Sequence, residues 1–280
     1  MELRNNTILI TGGTSGFGLE FAAQLQKLGN TILITGRNQS KLDETRRRLP
    51  GIHTFQSDVS DPRAIESLYQ QVTKQFPDLN ILINNAGEMR RIILQDAATA
   101  AATTAATTAT AATTAAATGL SDITREIDIN LSGPIRMIQQ FLPHLRKKAS
   151  AAIVNVTSGL ALIPWPLAPV YGATKSGLRS YTQSLRAQLK HTPVKVFELV
   201  APGAKTPLND KFAGDVDAKM LMEPDKLIAV GIKGIQKDKL EIYPGLARVI
   251  RIMSRLAPGL LLKQMSKMSE KAISGMAGPV

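Results

Sequence analysis

The chain of 280 residues contains no cysteine, which excludes both a disulfide framework and any thiolate metal centre. Histidine is nearly as scarce. His53, His144 and His191 lie too far apart to form a local ligand motif, so no metal is expected. No apolar run approaches the roughly 20 residues that a membrane-crossing helix needs. From Met1 the chain passes to the apolar Thr7–Thr11 stretch without a basic segment, an apolar signal core or a small-residue cleavage site. A soluble, cytoplasmic protein is the expectation. The formal charge is +12, a balance that suits a polyanion, an anionic membrane surface or a phosphorylated ligand. Zinc-finger, basic-zipper and aromatic–basic RNA signatures are all missing, so no nucleic-acid partner is expected. The basic residues are dispersed. Clusters such as Arg46-Arg47-Arg48 and Arg146-Lys147-Lys148 fall at the ends of helical patterns, where cations suit the negative end of the helix dipole.

What the sequence has is alternation. Runs rich in Ile, Leu and Val recur at TILIT (7–11), TILIT (31–35), IHTFQ (52–56), NILIN (80–84), AIVNV (152–156) and VKVFELV (194–200). Between them Leu19–Leu28, Ala64–Phe76, Ile123–Leu145 and Tyr171–Leu189 carry apolar residues at three- and four-residue spacing. Strand and helix in turn predict an α/β fold of the Rossmann type, a doubly wound parallel sheet with helices on both faces.

The first predicted strand runs directly into Thr11-Gly12-Gly13-Thr14-Ser15-Gly16-Phe17-Gly18 and an amphipathic helix. Glycines at 12, 16 and 18 permit a tight turn, a close approach of backbone N–H groups to a pyrophosphate, and close packing of helix on strand. A glycine string in that context is far more specific than one standing alone. The second strand ends in Gly36-Arg37. Dinucleotide folds place a ribose-binding carboxylate near this point; glycine followed by arginine suits a 2′-phosphate, so NADP(H) is favoured over NAD(H). Asp58-Val59, after the third strand, is placed to meet the adenine edge.

Tyr171 and Lys175 stand at i and i+4 on one predicted helix. A nearby ammonium is expected to lower the phenol's pKa from about 10 toward a value useful for proton exchange. Ser158 closes the buried strand before that helix, at the sheet edge where ligands bind, with Thr157 as the neighbouring candidate.

Taken together, Thr11-Gly12-x-x-x-Gly16-x-Gly18, Asp58, Asn84-Asn85-Ala86-Gly87, Asn130, Ser158, Tyr171-x-x-x-Lys175 and Pro202-Gly203-x-x-Thr206 resemble the short-chain dehydrogenase/reductase family over roughly residues 5–245. In finer wording, such as REIDINLSGPIRMIQQFLPHL, the chain is similar to bacterial oxidoreductases of the D-alanylation-operon type. The resemblance implies that Tyr171 is the general acid in reduction, that Ser158 binds the substrate oxygen, and that Lys175 binds the nicotinamide ribose. It further implies that Asn130 holds a water relay behind Lys175; otherwise Asn130 is a helix-interior polar group satisfied by the backbone. Gly12, Thr14, Ser15, Gly16, Phe17, Gly18, Arg37, Asp58, Val59, Asn85, Ala86, Gly87, Pro202, Gly203 and Thr206, with Tyr171 and Lys175, would hold the NADP(H). Residues 1–245 would form the dinucleotide-binding domain, and 246–280 a helical extension packed on it. A small-molecule carbonyl or alcohol substrate and a homo-oligomer follow from the same resemblance. The alternative is a Rossmann module that binds a nucleotide or acts as a scaffold without turnover.

Three features depart from the family pattern. Phe17 replaces a smaller aliphatic residue in the glycine turn, where it could crowd or cover the cofactor. Glu88 follows Gly87 where an apolar residue is usual, and such a carboxylate must be exposed, paired with Arg90 or Arg91, or protonated. The third is the tract 97–118, built from Ala and Thr alone. It has no large apolar side chain to bury and supplies no acid, base or phosphate ligand. It reads as an engineered insertion, a designed replacement or a placeholder, with a natural lid as the alternative. Lengthening a loop from about ten to about thirty residues costs on the order of 1 kcal/mol in closure entropy, so the fold tolerates it. Residues 204–222, and the helical run from Glu223, resemble the family's variable substrate loop and lid. Trp165, Leu167 and Pro169 are expected to line the pocket. The stretch from Leu246 to Met268 sets Arg248, Arg251, Arg255, Lys263 and Lys267 among Leu, Ile and Met. Covering the pocket or forming a subunit interface is favoured there over membrane docking.

Overall fold

The computed structural model describes residues 1–93 and 124–274; the Ala/Thr tract lies outside them. The apolar runs become parallel strands: β1 (Thr7–Thr11), β2 (Thr31–Gly36), β3 (His53–Gln56), β4 (Leu79–Asn84), β5 (Ala151–Ser158), β6 (Val194–Ala201) and a short β7 (Glu241–Ile242). Their spatial order is β3-β2-β1-β4-β5-β6-β7. The chain leaves β1 toward β2 on one side, whereas β4 lies on the other. That reversal opens a crevice at the C-terminal strand ends, which is where Gly12, Asn85 and Ser158 emerge.

Side-chain alternation divides the core into two layers. Ile8 and Ile10 of β1 face Phe21 and Leu25 of α1 (Gly16–Lys27), Leu42 of α2 (Gln39–Arg48) and Leu227 and Ile228 of α6 (Pro224–Gln236). Leu9 points the other way, toward Leu68 and Val72 of α3 (Pro62–Gln75), Met137 and Phe141 of α4 (Gly133–Leu145) and Leu185 of α5 (Pro169–Gln188). Two further helices, α7 (Ala247–Leu256) and α8 (Pro258–Ser274), follow the sheet.

The helix expected over Ile123–Leu145 runs unbroken through the described residues from Arg125 to Leu145, but its pitch changes. A single turn at Arg125–Ile127 widens into a π-helical turn at Asp128–Ser132 before α4 begins. Gly133 fits at the join because a Cβ there would lie 2.9 Å from the carbonyl oxygen of Val59. The wider turn carries Asn130, and such bulges recur at functional sites. Strand β7 has no sequence signature. Two residues cannot show alternation, and its pairing with Glu198 and Leu199 is purely tertiary.

Candidate active site

The floor of the crevice is set by glycine geometry. Gly12 has φ +67° and Gly16 φ +51°, conformations that L side chains rarely adopt. A Cβ on Gly12 would approach Ala86 Cα to 2.9 Å, and one on Gly18 would lie 2.2 Å from the Gly12 carbonyl oxygen. The two loops are laced together. Thr11 Oγ1 accepts from Asn85 N and Ala86 N, each at 3.0 Å, while Asn85 Nδ2 donates to the carbonyls of Thr11 (3.0 Å) and Gly12 (3.1 Å). Helix α1 is preceded by Ser15 at its N-cap, whose side chain makes no capping hydrogen bond. The first-turn N–H groups therefore remain available to an anion held over glycines that leave room for it. These residues fit a dinucleotide pyrophosphate.

At the β2 end, Arg37 Nη1 lies 3.9 Å from Asp58 Oδ2, and the other Asp58 oxygen accepts from Ser60 N (2.9 Å) and Ser60 Oγ (2.7 Å). Sequence reasoning missed Lys41, which shares this wall of the cavity. Asn38 caps α2 by accepting from Lys41 N at 3.0 Å, which fixes a second cation in the first turn beside Arg37. The capping Asn38 three residues before a lysine was the available signal.

Ser158, Tyr171 and Lys175 come together as the spacing implied, each buried to 9% exposure or less. Ser158 is a neighbour of the Tyr171 phenol, and its Oγ accepts from Leu160 N at 3.2 Å. Lys175 Nζ donates to the Val156 carbonyl at 3.0 Å and stands 5.6 Å from the centroid of the Tyr171 ring. The protonation picture reverses the expectation from sequence. Burial pushes the phenol up to about 12, opposed by Ser158 and reinforced by the Glu126 carboxylate. Burial also lowers the Lys175 ammonium to about 8. Desolvation of both groups outweighs their mutual influence. Thr157 also borders the cavity, but its hydroxyl proton is engaged, donated to Glu198 Oε1 at 2.7 Å.

Asn130 sits behind the cavity wall. Its Oδ1 accepts from Glu88 N (2.8 Å), and its Nδ2 donates to the Glu88 carbonyl (2.7 Å) and to Thr174 Oγ1 (3.3 Å). It clamps the backbone just after Gly87. Asn130→Ala should cost about 1–3 kcal/mol in a chemical denaturation titration, because two Glu88 backbone groups lose their partner. Glu88 is paired with neither arginine proposed from sequence. Its Oε2 lies 3.2 Å from Arg125 Nε, whereas Arg90 N donates to Glu126 Oε1 at 2.9 Å and Arg91 pairs with Asp215.

A cavity of about 730 Å³ joins these parts. Every residue expected to hold the cofactor lines it except Gly18, which packs beneath the turn. Trp165 lines it as well. Leu167 instead is buried in the cluster around Trp165 and Phe212, and Pro169 starts α5 on the exposed side. Opposite the polar floor, Leu208, Val216, Met220, Leu246, Ile250, Leu261, Met265 and Met268 form an apolar wall. The extension therefore covers the pocket through α7 and α8. Among the described residues no His, Asp or Glu group could hold a metal ion, and no helix is long and apolar enough to cross a membrane.

The profile of the short chain dehydrogenase family matches residues 6–216. An uncharacterized oxidoreductase, DltE, of Bacillus subtilis (strain 168) is 36% identical over 267 residues, spanning 95% of this chain and 98% of that protein. A short chain dehydrogenase from Burkholderia cenocepacia J2315 in complex with NADP superimposes with a TM-score of 0.77 at 19% identity, covering 95% of this chain and 99% of the other. One from Burkholderia phymatum in complex with NAD gives 0.73 at 19% identity, over 90% and 93%.

Proposed function

This chain belongs to the short chain dehydrogenase family and is an oxidoreductase of that fold, and on that premise we propose that it reduces a ketone or aldehyde to an alcohol with NADPH. The observation that carries the proposal is the buried cluster of Ser158, Tyr171 and Lys175 on the cavity wall, set between a dinucleotide cradle and an apolar wall. When bound, the nicotinamide supplies hydride to the carbonyl carbon. The chain's own residues do the rest. Ser158 and Tyr171 orient the carbonyl oxygen, and the phenol delivers the proton that oxygen needs as it becomes an alcohol. A phenol pushed up to about 12 holds that proton throughout the neutral range, which suits the reductive direction. Lys175, tied to Val156, stands beside the phenol and next to Gly87, where it would meet the nicotinamide ribose. The apolar wall keeps water from the reacting carbon.

The phosphate preference rests on Arg37, with Lys41 beside it. Arg37→Asp is expected to shift the ratio of kcat/KM for NADPH over NADH toward NADH by on the order of 100-fold, since it removes a cation and adds an anion where a 2′-phosphate would sit. Initial rates with both nucleotides measure this, and an unchanged ratio would defeat the NADP assignment. The overall reading is tested by following NADPH oxidation optically against a panel of ketones and aldehydes. Tight NADPH binding with no turnover of any carbonyl would replace it with the nucleotide-binding module.

A further inference from the structure

The C-terminal helices present an outer face that covering the pocket does not explain. Along α7, Leu246, Val249, Ile252 and Leu256 recur at helical spacing and are 41%, 54%, 53% and 77% exposed. After the corner at Ala257, Leu260 (60%) and Leu262 (44%) extend the apolar surface onto α8. Solvated apolar side chains are common singly; a stripe of this length on successive turns is not.

The charges beside the stripe are predominantly basic. Arg248 and Arg255 are exposed on α7, as are Lys263 and Lys267 on α8, and the only acidic residue of the segment 246–274 is Glu270. A groove of about 380 Å³ is lined by Arg248, Arg251 and Arg255 together with Ile252 and Leu256. Arginine on an apolar floor is a surface for a phosphate head with hydrocarbon beneath it.

Two occupants fit an apolar stripe, a second copy of this chain and a lipid surface. Charge separates them. A symmetric contact would bring Arg248, Arg255, Lys263 and Lys267 against their own copies with little acid to offset them, which is unfavourable. An anionic bilayer offers the complementary field.

We propose that α7 and α8 form an interfacial docking surface for an anionic phospholipid membrane, with the apolar stripe in the headgroup–acyl boundary and the basic residues among the phosphates. Leu246 and Val249 also line the mouth of the cavity. Docking therefore turns that mouth toward the lipid, which suits an amphiphilic carbonyl substrate drawn from the interface. The substrate clause rests on the reductase reading; the docking surface does not.

The test is sedimentation of the full chain with phosphatidylglycerol–phosphatidylcholine vesicles and with phosphatidylcholine alone. Binding is expected only to the anionic vesicles, weakening steeply at about 1 M salt, where the Debye length falls to about 3 Å. Arg248→Gln with Arg255→Gln should lower the partition coefficient about 30-fold, at roughly fivefold per basic residue near such a surface. Leu256→Glu should abolish binding. Arg46→Gln with Arg47→Gln, which removes the same charge from α2, should leave it within about twofold, as expected if location rather than net charge is responsible. Equal loss in both double variants, binding to neither vesicle, or a dimer in sedimentation velocity that Leu256→Glu converts to a monomer would each overturn the proposal. Because vesicle binding requires no turnover, its outcome is independent of whether the chain reduces a carbonyl.

Discussion

Tyr171→Phe should lower kcat for NADPH-dependent carbonyl reduction by on the order of 100- to 10,000-fold, the usual contribution of a positioned general acid. Phenylalanine keeps the ring and its packing in the cluster with Met89, Trp165, Leu167 and Phe212, so the fold has no cavity to collapse. The hydroxyl is lost, and with it the proton proposed for the substrate oxygen. The glycine turn, Arg37 and the Asn85–Gly87 loop do not depend on that hydroxyl. NADPH affinity, read by fluorescence titration, should accordingly stay within about threefold, a change of under 1 kcal/mol. A fall in kcat with binding retained separates an acid from a structural residue. A variant that turns over at nearly the parent rate would remove Tyr171 from the chemistry and transfer the proton to some other donor.

Much of this site was legible because its signals are local. The glycine turn, the i, i+4 pair of Tyr171 and Lys175, and the position of Ser158 at a strand end depend on backbone periodicity, which sequence states directly. The layers of the core were equally open to reading, since strands buried on both faces need continuous apolar runs. Other features come from tertiary encounters. Glu88 finds Arg125, rather than its sequence neighbours, because the π-helical turn at Asp128–Ser132 places the preceding segment against the loop after β4. Lys41 joins the Arg37 wall through the start of α2, a helix so polar that apolar periodicity barely marks it. The direction of the Tyr171 shift also escaped the sequence. Spacing puts an ammonium near a phenol but cannot say how completely the two are removed from water, and here burial dominates. Leu167 and Trp165 are equally apolar, and only the packing decides which faces the cavity.

Arg179→Met should destabilise the fold by about 3–5 kcal/mol at neutral pH, because it leaves a fully buried carboxylate without its cation. Glu198 has no exposed side-chain surface, and Arg179 Nη1 lies 2.6 Å from its Oε2. The same guanidinium reaches Glu241 Oε2 at 3.7 Å, and Glu241 in turn accepts from the Tyr243 hydroxyl at 2.7 Å and pairs with Arg251 of α7 at 3.4 Å. Through Thr157 the network also reaches the strand residue beside Ser158, so the loss extends from the sheet to the covering helices. The pH dependence identifies the cause. Burial already holds the Glu198 carboxyl above its ordinary value, opposed by Thr157 and Arg179. Removing Arg179 raises it further, so between the unfolded and folded pKa values the native state binds more protons than the unfolded chain. Stability then falls as pH rises through that window. The deficit relative to the parent should be smallest at the acid end, where Glu198 is neutral, and grow toward neutrality. Denaturant titrations at a series of pH values would follow it. Adding Glu198→Gln to Arg179→Met should restore most of the lost stability and flatten the pH profile, since no unpaired charge remains to be buried. A deficit that is independent of pH, or a double variant no better than the single one, would mean that Arg179 acts through its packing against Tyr243 rather than through the charge of Glu198.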